Sequence, residues 1–351
     1  MQEEIELLEE EEEDLWISFQ EQNEQYLFRQ QHLILILASD DEFLPIEFPL
    51  LWKIRAFTTN NGMGRGVIKQ KRTKLFHINV YNQWCAYPEQ FSSLLHMTKQ
   101  EFDMILEDVS CLMLLHDSEL SLSLPNKLLM ALHFVIQYTG GNNLAAMFNV
   151  SPYYVSKVLD EILPYLVEYF TKHIPNKKVS DTTSRLHPKI TYIIDGTLHK
   201  IQKQHGAPDV NYNGHYLMHG KVSLVLLDFD SRVVAFITNI KGKIHDSLIA
   251  TYAKSFKEII GSDFALGDPG FLGVGYVVPG FKPGTIRRWE ERVFDKISRS
   301  EQVLIENANK GIKECKSVNK QDTFRHGDHR LLACVFISMG LYNLKLSWGY
   351  F

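Results

Sequence analysis

Three apolar, β-branched runs follow one another between residues 190 and 238, and the first has an aspartate at its centre. In Tyr192-Ile193-Ile194-Asp195-Gly196-Thr197 the acid stands inside what reads as a buried strand. A carboxylate there is costly unless it is paired or bound to a metal. β-Branched and aromatic residues suit a pleated surface, so 190–201, 221–227 and 233–238 read as strands. Asp228-Phe229-Asp230-Ser231-Arg232 reads as the hairpin turn between the last two, with its aspartates structural. A helix over 246–260 follows, then a short strand over 264–266 that ends in Gly267-Asp268-Pro269-Gly270. Gly and Pro residues fill the loop to Gly284. Helical sequence then runs over 287–318 with one break, and an apolar helix over 331–346 closes the chain.

Three strands, a helix, a fourth strand and further helices is the order of an RNase H-like α/β core, a mixed sheet flanked by helices over 186–351. Upstream, 89–175 reads as all-α. Thr98-x-x-Glu101 is a capping box ahead of Phe102, Ile105, Leu106 and Val109 at helical spacing. Pro125 opens a helix over 126–138, and Gly140-Gly141 ends it. Helices over 142–150 and 153–166, joined at Ser151-Pro152, match a helix-turn-helix unit. As a DNA reader it would present Tyr153, Tyr154, Ser156 and Lys157. A small structural bundle gives the same pattern, and Asp160 and Glu161 weaken attraction for phosphate.

Charge divides the N-terminal part in two. Nine acids crowd the first fourteen residues, so residues 1–47 read as an acidic, partly disordered leader, and the net charge of −5 conceals a mildly basic remainder. From 48 to 88 there is no acid but there are seven basic residues, Lys53, Arg55, Arg65, Lys69, Lys71, Arg72 and Lys74. This basic arm suits phosphate contact; a solubilising linker or a nuclear import tract at 69–74 explains it equally. No apolar run approaches the roughly 18 residues of a membrane span, and the acidic start is unlike a secretory signal. The cysteines, Cys85, Cys111, Cys315 and Cys334, are too scattered for a zinc pair and read as free thiols.

Asp195, Asp268 and Glu306 are the candidate catalytic and metal-binding residues. Asp268 stands where the fourth strand ends, and parallel neighbours would bring it beside Asp195. Glu306 lies on a polar helix face with Arg299, Gln302, Asn309, Lys310 and Lys313, a face that can aim the acid at the sheet and Lys310 and Lys313 at DNA phosphates. Clustered carboxylates raise one another's pKa unless a cation neutralises them, and hard oxygen ligands select Mg²⁺ or Mn²⁺. Two such ions serve phosphoryl transfer. Singly, each acid has a plainer role: a turn cap, an Asp-Pro turn, a surface helix acid. Asp246 is a reserve ligand or a helix N-cap, and His245 beside it a surface or capping residue.

At these residues the chain resembles the PIF/Harbinger transposase superfamily, including Harbinger transposase-derived nucleases. The pieces are Ile194-Asp195-Gly196-Thr197, Gly242-x-x-His245-Asp246-Ser247, Leu266-Gly267-Asp268-Pro269-Gly270-Phe271, Ile305-Glu306-Asn307 leading to Ile312-Lys313, and the closing Leu341-Tyr342-Asn343. Phe91-x-x-Leu94-Leu95-x-Met97-Thr98-x-x-x-Phe102 is similar as well, so the likeness spans roughly 90–351. It implies a DDE triad at Asp195, Asp268 and Glu306, cleavage and transfer of DNA strands with a divalent metal, and a nuclear setting. It also implies, in many relatives, a separate Myb-like DNA-binding partner; a homo-oligomer is compatible with it. The alternative on the same scaffold is a domesticated DNA- or protein-binding factor without catalysis. Asn307-Ala308-Asn309 departs from the family's aromatic-glycine stretch after the glutamate, and His219 stands where relatives often carry a basic residue.

If the arm contacts phosphate, neutralising Lys69, Lys71, Arg72 and Lys74 flattens the slope of log affinity for DNA against log salt, by up to about 0.9 per lost contact. An unchanged slope, read by fluorescence anisotropy at several salt concentrations, identifies the arm as a linker.

Overall fold

The computed structural model describes residues 78–113, 121–203, 209–282, 284, 288–319 and 323–351. The acidic leader and most of the basic arm lie outside them. The arm's last residues, expected to be flexible, instead form helix α1 (Val80–Ala86), because Val80 and Trp84 find a core to enter.

Five helices follow: α2 (Glu89–Leu95), α3 (Lys99–Met113), α4 (Leu124–Gln137), α5 (Gly141–Phe148) and α6 (Pro152–Thr171). The capping box before α3 is reciprocal: Thr98 N–H donates to Glu101 Oε2 at 2.5 Å and Glu101 N–H to Thr98 Oγ1 at 3.2 Å. Helix α4 is buried on all sides from Asn126 to Ile136. Its end is made by Tyr138 in the left-handed region (φ 51°), ahead of the glycines expected to stop it. Between α5 and α6, Asn149 takes a left-handed turn (φ 52°) and Ser151 Oγ caps α6 by accepting from Tyr154 N–H.

The sheet has six strands: β1 (Ile190–Lys200), β2 (Tyr212–Asn213), β3 (Met218–Asp228), β4 (Val233–Lys241), β5 (Phe264–Gly267) and β6 (Val277–Pro279). Their order is β2-β3-β1-β5-β6, with β4 also against β3. The joins β1–β3 and β3–β4 are antiparallel; β1–β5 and β5–β6 are parallel. The fold is thus mixed α/β. The expected strands are present, while β2 and β6 were not foreseen: one has two residues and the other lies within the loop read as irregular. The turn aspartates are structural, since Asp228 Oδ1 accepts from Asp230 and Arg232 N–H at 3.1 and 3.0 Å. The helix expected over 246–260 is two, α7 (Asp246–Tyr252) and α8 (Lys254–Ile260), broken at Ala253 (ψ 75°). Helices α9 (Trp289–Ile312) and α10 (Asp328–Ser347) complete the chain.

Side chains alternate across β1, as a strand's period of two requires. Ile193 belongs to the core shared with α9, α10 and the upstream helices, whereas Tyr192 and Ile194 join the core under α7 and α8. Helix α10 joins the upstream helices to the sheet. Gly340 lets it lie on α6, since a Cβ there would collide with the Phe170 carbonyl. On its other side Phe336 meets Phe236 of β4 edge-on, with centroids 4.6 Å apart. Asn343, 2% exposed, accepts from Val233 N–H (2.8 Å) and donates to Val233 O (2.7 Å) and His173 O (2.8 Å). One amide thereby satisfies the edge of β4 and the end of the α6 segment together. No helix among the described residues is long and apolar enough to cross a membrane.

Replacing Asn343 with Leu leaves those backbone groups unpaired in the core. We expect a loss of about 2–4 kcal/mol in urea unfolding, from several unsatisfied buried partners at about 1–3 kcal/mol each, partly offset by the added apolar surface. A loss below 0.5 kcal/mol would show that water reaches this seam.

Candidate functional site

The parallel join between β1 and β5 sets the site. Ile193 pairs with Leu266, so two residues further along both strands Asp195 comes level with Asp268. Equal steps of two also put both carboxylates on the sheet face of Ile193 and Leu266, the one packed against α9. Asp268 is exposed where β5 gives way to a short 3-10 turn, Pro269–Phe271, which it caps: its Oδ1 accepts from Gly270 N–H at 2.9 Å. Asp195 sits deeper. Burial, and then the negative charges of Asp268 and Asp246, push its carboxyl up to about 7; a hydrogen bond from Gly196 N–H and the Lys313 charge pull the other way.

Helix α9 reaches this edge through two amides. Gln302 Nε2 donates to Gly267 O at 2.6 Å, and Asn309 Nδ2 to Asp195 Oδ2 at 2.9 Å. Glu306, four residues after one and three before the other, lies on the same face and is exposed. The charges that shift Asp195 are those of Asp268, Asp246 and Lys313. Further back on the helix, Glu301 is 5% exposed and purely architectural. It accepts from Ser184 Oγ (2.6 Å), Arg185 N–H (2.8 Å) and Arg185 Nε (3.2 Å), fastening the segment before β1 to α9.

Asp246 approaches from the other side of β1. A Cβ at Gly196 would fall on its carboxylate, and Gly196 points opposite to Asp195. Asp246 is therefore not the N-cap it resembles in sequence. His245 is, its Nδ1 accepting from Ser247 N–H at 3.3 Å, while Asp246 leans on β1. Sequence reasoning missed Tyr216. Burial, then Asp195, Asp246 and Asp268 in that order, raise its phenol pKa, so its hydroxyl shares the field of all three acids. Two acceptor contacts shape its turn: Asn213 Oδ1 takes the N–H groups of His215 and Tyr216, both at 3.0 Å.

Of the residues expected to meet DNA, Lys310 is exposed and Lys313 stands by Asp195. On α6 the expected outward set divides. Tyr153 is 68% exposed, with Lys157 Nζ 5.7 Å from its ring centre. Tyr154 instead turns inward, its hydroxyl accepting from Leu122 N–H at 2.9 Å. Ser156 is occupied by Arg330 of α10, which also reaches Asp160 Oδ1 at 2.7 Å. Tyr154 and Ser156 are thus committed within the chain.

Among the described residues, no three His, Cys, Asp or Glu side chains stand close enough together to hold a metal ion. The donor set at the edge nevertheless suits a hard cation: it is all oxygen, mutually repelling, and the carboxyl of one member is pushed up to about 7. No family model, no curated protein and no solved structure matches this chain.

A carboxyl raised from 3.8 to about 7 by folding costs stability as it ionises. The folded chain binds a proton that the unfolded chain has lost, so this group's contribution is full below about pH 4 and gone once pH has risen through about 7. In EDTA, Asp195→Asn should match the parent chain near pH 4 and exceed it by about 1–3 kcal/mol at pH 8, allowing for screening. A stability difference independent of pH would show that the carboxyl is well solvated.

Proposed function

We propose that this chain is a metal-dependent DNA endonuclease of the DDE type, related in design to transposases that cleave and transfer DNA strands. The observation that carries the reading is the paired placement of Asp195 and Asp268 at one sheet edge, with Asp195 driven up to about 7 by burial and negative neighbours. The strand order β4-β3-β1-β5-β6, antiparallel on one side of β1 and parallel on the other, supports an RNase H-like core. The sequence likeness to the PIF/Harbinger superfamily points to the same chemistry.

Asp195, Asp268 and Glu306 would hold the divalent ions, Mg²⁺ or Mn²⁺, with Asp246 beside them. When bound, a pair of such ions supplies Lewis acidity at the phosphodiester and strengthens the attacking oxygen. The chain's own part is to hold these carboxylates on rigid elements. Helix α9 sets the distance to the sheet through Gln302 and Asn309, and carries Lys310 and Lys313 for phosphate oxygens. The α5–α6 helix-turn-helix would add Tyr153 and Lys157 to the DNA surface. A nuclear location, a Myb-like partner and self-association belong to the same reading.

Two observations favour the second reading, a DNA- or protein-binding factor without catalysis: Asn309 occupies Asp195 Oδ2, and among the described residues no three His, Cys, Asp or Glu side chains are close enough to hold a metal ion. Nicking of supercoiled DNA by the purified chain separates the two. On the first reading, nicking requires Mg²⁺ or Mn²⁺ and falls at least on the order of 10²-fold in Asp268→Asn. Equal rates in the two proteins overturn it, and DNA binding without metal-dependent nicking establishes the second.

A further inference from the structure

Asn309 of α9 hydrogen-bonds Asp195 itself, at a position where the sequence departs from its resemblance. It is 8% exposed, and its two amide atoms fare differently. Nδ2 donates to Asp195 Oδ2, while Oδ1 is buried without a partner. Two residues past Asp195 on the same face of β1, Thr197 Oγ1 is also buried and unpartnered. Buried oxygens of this kind are rare in folded chains and call for an explanation. Facing an ionised carboxylate, an amide presents Nδ2, because Oδ1 would repel it. A cation at Asp195 removes that repulsion and makes the neutral amide oxygen a hard donor.

We infer that Asn309 is a positioning residue of the cation site: it fixes Asp195 through Oδ2 and offers its own Oδ1 as an additional oxygen donor, directly or through water, once a divalent ion arrives. This rests on the metal-dependent reading above and deepens it. A neutral donor suits the position, since the edge already carries Asp195, Asp268 and Asp246, and a further fixed charge would increase their repulsion in the empty chain. An apolar side chain would fill the space but leave Asp195 unaimed.

Mn²⁺ binding to the full chain tests this, measured by isothermal titration and by the signal lost from free Mn²⁺ in electron paramagnetic resonance. Asn309→Leu should weaken Mn²⁺ binding by about 10- to 100-fold, as loss of a residue that orients a metal ligand does. Asn309→Ser should fall between, and Asn309→Asp, which keeps an oxygen donor but loses the N–H that holds Asp195, should bind more tightly than Asn309→Leu. Circular dichroism identifies any variant that fails to fold, and the Ser and Asp variants then carry the comparison. Parent-like Mn²⁺ affinity in Asn309→Leu or in Asn309→Ser overturns the inference while leaving the metal-dependent reading intact. A parent chain that binds no Mn²⁺ overturns both.

Discussion

Everything at the acidic edge depends on the parallel join between β1 and β5. It pairs Ile193 with Leu266, and that single register brings an acid within one strand level with an acid just beyond the end of another. A slip of one residue would turn Asp195 to the opposite face, because side chains alternate. The register is held on both sides. β3 pairs with β1 from Tyr192 to Lys200 without a break, and the two cores take alternate residues of the strand, so no neighbouring register buries the same apolar set.

Helix α9 depends on that register in turn. Glu301 ties it to the segment entering β1, Gln302 to the end of β5 and Asn309 to Asp195. These anchors span two turns of the helix, so its approach to the sheet is set by polar contacts as well as by Ile305, Ala308 and Ile312 in the core. The upstream helices are joined to the same body through α10. Asn343 satisfies both backbone groups of Val233, and Arg330 binds Ser156 and Asp160 at the start of α6. Any surface that α6 presents is therefore oriented by the helix that also braces the sheet. Arg330 does so by occupying Ser156, one of the groups that looked free for DNA.

What was legible in the sequence was whatever announces itself locally. The strands around Asp195 are long and β-branched, the α3 capping box is spelled by Thr98 and Glu101, and an acid inside Tyr192–Thr197 is conspicuous. β6 was not legible because three residues between glycines carry no period. The break at Ala253 was not, because no Gly or Pro marks it; there Ala250 O accepts from Ala253 N–H at 3.1 Å and from the distant Tyr276 Oη at 2.6 Å. Asn309 was passed over for a related reason. An asparagine on a polar helix face is ordinary until the opposing strand is seen to place a carboxylate against it.

Asp246 and Glu306 show why sequence order alone does not settle which acid would complete the proposed site. Asp246 is close enough to Gly196 to exclude a Cβ and to raise the Asp195 pKa, yet it comes from the face of β1 opposite to Asp195. Glu306 is on the correct face, carried by the helix that contacts both aspartate-bearing segments, but it stands in solvent. Electrostatics explains the separation. With Asp195, Asp268 and Asp246 already in one field, a fourth carboxylate gains nothing by approaching an empty site, and hydration holds it outside. On the proposed reading, a divalent charge would reverse that balance for the group whose backbone is already on the right side. Glu306 shares its helix face with Gln302 and Asn309, which already reach that edge, whereas Asp246 would have to pass the edge of β1 and leave the glycine it packs against.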